Sequence, residues 1–416
     1  MGLSSTSQQT APVSMTGMPQ LVPADYVGLI FRGWPLYSNA FWTNPNVGQQ
    51  FPLSAPPAPT GVNFKSTRLY DTAYSFWYEI ETSAGVYNWT NFDIQITTFR
   101  QLGVNIGLCL GGTPLFYVTG AETTVPFYDG YGGAGYPNQT APNGLTGLSN
   151  FITALVQRYN RPGVGAWNLA NPTLGKGLAW LEISNEPQWN GVTPVGGFWH
   201  ASPSQLVDWA YTIKTAAKAV DATLVITSPG SNTATNLQTF LQATGAINTG
   251  VTGASCCDAV QVHHYNVSTP GTVFNAWGYD FFGGPQVGIN PWKAAMAASG
   301  PYNGALTTVP MWMGEGGFDY TAGTYELNQL NAQPPAYRST FWQRMMMLGA
   351  ASGMKKWMTY TWDSPYAATP MNDPLGVPDA LNKIAANVAG KTITAASYVV
   401  GGAVTLNFND GSTYSV

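Results

Sequence analysis

Charge is scarce in this chain. Its 416 residues include 16 Lys plus Arg, 20 Asp plus Glu and 3 His, so that 9% is charged and the net charge is −4. Soluble domains usually carry about a quarter charged residues. So few cations exclude a nucleic-acid surface, which needs clustered Lys and Arg. Three histidines with no metal-ligand spacing argue against a resident metal. Three cysteines, Cys109, Cys256 and Cys257, do not make a disulfide framework and read as buried thiols. No apolar run approaches the roughly 20 residues of a membrane span. The first 20 residues lack a basic start and an apolar core, so no secretory signal is visible there. Their opening MGLSST fits the N-myristoylation pattern, a match too short to carry weight. No GxGxxG follows the first apolar run, which disfavours a nicotinamide enzyme, and no tandem repeat is present.

The chain is instead rich in rings and small residues: 44% hydrophobic, with 15 Trp, 22 Tyr, 18 Phe, 47 Gly and 30 Pro. A polar, uncharged, aromatic surface suits a ligand built of hydroxyls and apolar ring faces, such as a carbohydrate. An ordinary extracellular surface has the same composition, so an extracellular or secreted location is expected under either reading.

Eight short apolar runs recur at 26–31, 66–71, 104–110, 177–184, 223–228, 258–264, 309–314 and 355–360. Segments with helical spacing separate several of them. SPSQLVDWAYTIKTAAKAV at 202–220 opens on Ser-Pro and repeats apolar residues three and four apart; 147–159 and 336–352 are similar. Strands alternating with helices predict a parallel sheet covered by helices, and eight such units predict an α/β fold of the (β/α)8 barrel type. Residues 1–25 read as a polar lead and 26–378 as the barrel. Residues 379–416 alternate apolar and polar around an Asn-Asp-Gly turn, which predicts a small antiparallel β appendage, joined by strands from the lead.

The acids stand out against this background. LEISNEPQWN at 181–190 places Glu182 and Glu186 on or beside a buried strand. Side chains alternate across a strand, so Glu182, Ser184 and Glu186 are expected to face the barrel axis. Glu186 then lies at the rim, where active sites of such barrels form, and Glu182 lies deeper and needs a buried partner. Arg68 is the expected one. VPMWMGEGG at 309–317 ends the seventh run on Glu315 between glycines. Strands four and seven open on the same mouth, so Glu186 and Glu315 can meet there. Glycoside hydrolysis requires such a pair, one protonated acid and one carboxylate.

The local wording around these acids resembles glycoside hydrolase clan A, the retaining (β/α)8 glycosidases. Asn185-Glu186-Pro187 is similar to the clan's acid/base motif, and Glu315 stands at its nucleophile position. Residues 75–93 resemble the clan's segment after strand two, and 110–118 its Pro-aromatic loop after strand three. DAVQVHHY resembles its strand-six pattern, which points to His263 and Tyr265 rather than His264. YTWDSP is similar to its strand-eight pattern, which points to Trp362. The resemblance covers about 26–378 and is closest in wording to family 39 and related bacterial exopolysaccharide hydrolases. Ser184, where a Trp often precedes Asn-Glu, departs from the family-39 pattern. What the resemblance implies is a retaining, endo-acting glycosidase acting on a β-linked polysaccharide or oligosaccharide. Glu186 and Glu315 would be catalytic, with Asn185, His263, Tyr265, Trp362 and Arg68 binding substrate or supporting the acids. Trp189, Phe116 and Tyr117 are weaker subsite candidates. No cofactor, no metal, no nucleic acid and no membrane are expected, and the chain is expected to be a monomer. Two other readings remain open at this point: a non-catalytic carbohydrate-binding barrel, and one part of a virion or secreted polysaccharide depolymerase.

Overall fold

Eight parallel strands, each short and apolar, pair in one ring. The computed structural model describes residues 12–15, 17–30, 63–70, 75–117, 142–191, 193–199, 201–266, 289–299, 309–318, 335–359, 377–399 and 403–416. In chain order the barrel strands are Val27–Leu29, Ser66–Leu69, Asn105–Cys109, Trp180–Glu182, Val225–Thr227, Val260–Asn266, Met311–Phe318 and Met354–Thr359. Each lies within one of the eight apolar runs or overlaps it. Neighbours in sequence are neighbours in space, and strand eight returns to strand one. Strands five and six close the ring through the bridges Thr227↔Ala259 and Ser231↔Val262. Backbone N–H donors reinforce that seam, Asp258 to Ile226 at 2.7 Å and His263 to Ser231 at 2.8 Å.

Helices pack outside the ring. Thr90–Gln101 follows strand two, Pro142–Asn160 strand three, Pro203–Val220 strand four, Ala234–Gln242 strand five, Ile289–Ala297 strand six and Pro335–Ala351 strand seven. The Ser-Pro opening predicted for 202–220 works as a cap. Ser202 Oγ accepts the Gln205 N–H, Gln205 Oε1 accepts the Ser202 N–H, and Pro203 starts the helix where no donor is needed. A continuous apolar core fills the space between ring and helices; it includes Leu108, Leu181, Leu155, Trp209, Ile213 and Trp342. Trp189 belongs to this core, its indole N–H donating to Ala201 O at 2.9 Å. All three cysteine thiols are buried and unlinked. No described helix is long and apolar enough to cross a membrane.

A separate five-stranded antiparallel sheet joins the two ends of the chain. Thr392–Tyr398 pairs with Val404–Phe408, which pairs with Thr413–Ser415. Val13–Ser14 and Gln20–Leu21 from the polar lead add to Thr392–Tyr398. The boundary expected at 378/379 falls inside the helix Val377–Asn387.

Inside the ring the side chains form two levels. At the level of the strand starts, Trp180 and Trp312 meet edge to face with ring centroids 5.4 Å apart. Lys356 Nζ lies 5.3 Å from each ring and bonds to Asp25, so a cation fills space that a hydrophobe would otherwise take. Gly107 makes room for Trp180: a Cβ there would fall 1.7 Å from the indole. One level higher, Arg68 grips Glu182 with two parallel bonds, Nε to Oε2 at 2.5 Å and Nη2 to Oε1 at 2.8 Å. Both side chains are fully buried, with Glu182 at 0% exposure. A paired charge this deep is tolerated only while its partner is present. Glu182→Gln therefore removes half of the fork and a full negative charge, and is expected to cost roughly 3 kcal/mol of stability. A thermal melt checks this; a variant that melts like the parent would take the structural role away from Glu182.

Candidate active site

The mouth is built where strands four and seven leave the ring. Strand four ends at Glu182, and the chain then turns rather than continuing as a strand. This corrects the expected alternation: Asn185, of opposite parity to Glu182, also faces inward, and its Oδ1 accepts from Arg68 Nη2 at 2.6 Å. Glu186 comes into the mouth through its backbone, not its parity. Its φ is +37°, a left-handed conformation that costs a residue with a Cβ and that concentrates at functional sites. The turn is held by its neighbours. Glu186 N–H donates to Gly230 O at 2.7 Å, and Gly230 N–H donates to Ser184 O at 3.0 Å.

Strand seven delivers Glu315 by a different device. Trp312 packs inside the ring, Met313 packs outside, and Gly314 again faces in, since a Cβ on it would strike Gln261 and His263. Alternation would then send Glu315 outward. The pairing with strand six shifts between Val262 and His263, so that His263 pairs with Glu315 and Gly314 is the extra residue. A bulge of this kind re-aims a side chain. Here it turns Glu315 inward, where Oε1 accepts from Arg68 Nη1 at 2.5 Å.

His263 joins the two acids. Its Nδ1 lies 2.9 Å from Glu186 Oε1 and 3.7 Å from Glu315 Oε2, and its ring is fully buried. One ligand atom from each of Glu186, His263 and Glu315 lies within 4.8 Å of the others. The next residue, His264, is half-buried. Side-chain exposure grades the acids: 0% for Glu182, 6% for Glu315 and 18% for Glu186, so Glu186 is the one that solvent reaches best. Burial opposes a charge on His263, but Glu315 and the bond to Glu186 outweigh it and raise the imidazole pKa above its ordinary 6.5, with Arg68 pulling the other way. Burial also opposes the charge on Arg68, and Glu182 and Glu315 more than compensate, holding the guanidinium firmly protonated.

Two carboxylates and an imidazole are a donor set that a divalent cation can use. Sequence spacing alone did not reveal that cluster. Arg68 already bonds one Glu315 oxygen with a positive charge, and the set can work as a proton-handling group. It can hold one carboxylate ionised against a fixed cation and exchange a proton with the other across an imidazole.

Of the residues singled out from sequence, Arg68, Asn185, Glu186, His263 and Glu315 come together in one cluster. The backbone of Tyr265 lies on strand six, with its side chain outside the described residues, and Trp362 lies outside them altogether. Trp189 packs in the core beneath the helices. Tyr117 donates to Glu81 Oε1 at 2.8 Å and stacks on Trp77, so it braces the segment after strand two. Phe116 beside it is exposed. Sequence reasoning noted the glycines beside Glu315 but missed Gly230 and Gln261, which with Gly314 shape the space around His263. A glycine past the end of strand five and a glutamine on strand six give no local signal.

No family model matches the chain, and no curated protein matches it. Solved structures do. A family 39 glycoside hydrolase from the gut symbiont Bacteroides cellulosilyticus WH2 is 17% identical, with a TM-score of 0.56 over 94% of this chain and 69% of that one. A glucosidase from Croceicoccus marinus is 14% identical, with a TM-score of 0.55 over 96% and 76%. A monomeric beta-xylosidase from Caulobacter crescentus CB15 is 16% identical, with a TM-score of 0.55 over 93% and 74%. At such identities the likeness is one of fold, and the chain has the (β/α)8 barrel fold that these glycoside hydrolases have.

Proposed function

We propose that the protein is a retaining glycoside hydrolase that cleaves β-linked bonds within a polysaccharide by double displacement, with Glu315 as nucleophile and Glu186 as acid/base. One observation carries the reading: two carboxyl groups from opposite sides of the barrel mouth bring oxygens within 4.8 Å, sharing one imidazole. Retaining glycosidases keep their carboxyls about 5–5.5 Å apart, whereas inverting ones leave room for a water at 6.5 Å or more.

The roles follow from the surroundings. Arg68 donates to one Glu315 oxygen at 2.5 Å, which holds the carboxyl group in place beside a cation with its other oxygen facing the mouth side of His263. No described cation bonds directly to Glu186 other than the His263 imidazole, which can give or take a proton. In the first step Glu315 attacks the anomeric carbon while Glu186 protonates the leaving oxygen. In the second, Glu186 takes a proton from water as the water displaces Glu315. Asn185 presents its Oδ1 to Arg68, which leaves its NH2 group to donate to the sugar 2-hydroxyl. His263 stays within reach of both carboxylates throughout. The aromatic-rich, charge-poor composition supports a carbohydrate substrate, and a polymer that cannot enter a cell carries with it an extracellular location.

Two outcomes are expected. Proton NMR of fresh hydrolysate should show the β-anomer first; an initial α-anomer would mean inversion and would overturn the scheme. In Glu186→Ala, turnover of natural β-glycans should fall by about 10²–10⁴-fold, the usual contribution of acid–base catalysis. With an activated aryl glycoside, azide should restore the rate of that variant and yield a β-glycosyl azide. Glu315→Ala should form no covalent intermediate and, with azide, give the α-product. A β-azide from the Glu315 variant alone would reverse the two roles. Product length from an internally cleaved polymer tests the mode of attack, and a barrel that binds glycans without any turnover would leave only a carbohydrate-binding function.

A further inference from the structure

The two ends of the barrel differ in charge. Seven connections run from the ends of strands two to eight to the barrel helix that follows, at 70–89, 110–141, 183–202, 228–233, 267–288, 319–334 and 360–376. None of them contains a Lys or an Arg, and all but the shortest contain an Asp or a Glu. The chain has 16 cations and 20 acids, so scarcity of charge by itself would deplete both. Between strands one and two the chain has Arg32, outside the described residues, and Lys65, beside the start of strand two. Lys293 and Arg338 belong to helices outside the ring. Cations collect instead at the opposite end, where the strands begin. Arg100 Nη1 donates to Asn105 Oδ1 at 3.0 Å, Lys176 pairs with Asp221 at 2.8 Å, Lys218 with Asp258 at 2.7 Å, and Lys356 with Asp25. Asn105 opens strand three, and the three acids stand just before strands five, six and one.

The charged groups at the mouth itself point the same way. Arg68 is buried, and its three nitrogens already donate to Glu182, Glu315 and Asn185. The His263 ring is buried and turns Nδ1 to Glu186 and Glu315. Beside this cluster runs a band of aromatic rings. Tyr70 lies against the Arg68 guanidinium, 5.0 Å from its ring centroid, and meets Phe76 and Phe198 edge to face at 5.6 and 5.7 Å. Phe76 stacks on Tyr78 at 5.8 Å. Tyr70 and Phe76 are buried, whereas Tyr78 and Phe198 are half-buried at the outer edge of the band. Gly112, at φ +68°, makes room for it, since a Cβ there would fall 2.6 Å from the Tyr78 ring. Phe198 N–H donates to Glu186 O at 3.4 Å, which ties the band to the acid/base. A uronate or sulfate seated here would lose its hydration beside carboxylates, with no unengaged cation among the described residues to pair with. An amine would be drawn in by the same field, and the C–H face of an uncharged pyranose can pack on the rings. We infer that the mouth selects its glycan by charge, taking a β-linked polymer free of acid groups and gaining from amino groups on the sugar. The inference rests on the reading of this mouth as a glycan site and names the class of glycan.

Binding can be read on the full chain from the fluorescence of its 15 Trp, without turnover. Polymers matched in backbone and differing in charge serve as probes. They are hydroxyethyl, carboxymethyl and quaternary-ammonium cellulose, xylan with and without glucuronate, and chitosan oligosaccharides with and without N-acetylation. On a backbone that binds, the acid-bearing form should bind at least about tenfold more weakly than its uncharged counterpart at low salt, and the amine-bearing form more tightly. Raising salt to about 1 M, where screening acts over about 3 Å, should narrow both differences. Asn190→Lys puts a cation on the exposed tip of the hairpin that follows Glu186. It should strengthen binding of the acid-bearing form and weaken that of the amine-bearing form, whereas Asn190→Gln should change neither. If an acid-bearing form binds as tightly as its uncharged counterpart, or if only acid-bearing polymers bind, the inference is wrong. Charge-graded binding with no turnover of any polymer would sink the glycosidase reading and leave the inference standing. Preferred turnover of an acid-bearing polymer, with retention of configuration, would do the reverse, and binding to none of the probes would overturn both.

Discussion

One guanidinium organises the interior of this barrel. Arg68 projects from strand two and bonds at once to Glu182 and Asn185 from strand four and its end and to Glu315 from strand seven. Its planar fork allows this, since the parallel donors on one edge match a carboxylate and the remaining N–H groups point elsewhere; a lysine could not replace it. The arrangement also answers the desolvation problem. An isolated buried charge is prohibitive, yet here one cation lies between two carboxylates, and an imidazole adds a second positive charge when protonated. The buried charges of the ring are thus paired locally.

A charge-poor chain thus keeps several of its ionic groups inside the barrel. Two levels of ionic groups occupy the barrel. Near the strand starts, Lys356 and Asp25 pair against the rings of Trp180 and Trp312. Toward the strand ends, Arg68, Glu182, Glu315, Glu186 and His263 form a connected set. Burial and Asp25 pull the Lys356 ammonium in opposite directions, and burial prevails, lowering its pKa. The upper set differs because its members differ in access. Glu182 is sealed, Glu315 nearly so, and Glu186 is open at the rim. Three carboxylates that share cations thus differ in how far solvent reaches them.

Backbone irregularity, not regular strand geometry, aims the two outer acids. The positive φ at Glu186 and the bulge at Gly314 each break the alternation that would otherwise have turned a side chain the wrong way. The first lies past the end of strand four, where regular pairing has run out, and the second lies within strand seven, whose pairing with strand six resumes through Phe318. Both are also flanked by glycines or a proline, which tolerate close approach or restrict the adjoining residue.

Sequence alone determined where the eight barrel strands lie, because each is a short apolar run bounded by polar or glycine residues, and burial on both faces demands that pattern. It also singled out the acids that the structure brings together around Arg68 and His263. With so few charges, Glu182, Glu186 and Glu315 on apolar strand ends stood out, and Arg68, on a strand facing the same interior, was the expected partner of Glu182. The pairing of the lead with the C-terminal strands was legible in outline from the alternation of 392–415, but its register was not. Tertiary structure decided the rest. Parity suggested an inward Glu186 for the wrong reason, and it gave no sign that Asn185 also turns inward. Gln261 on strand six, Gly314 on strand seven and Gly230 just past strand five become neighbours only when the ring closes, so no local spacing records their meeting at His263. The physical reason is one of range. Periodicity and burial are properties of a few consecutive residues, whereas the protonation of an imidazole depends on every acceptor that the closed barrel brings to its two edges.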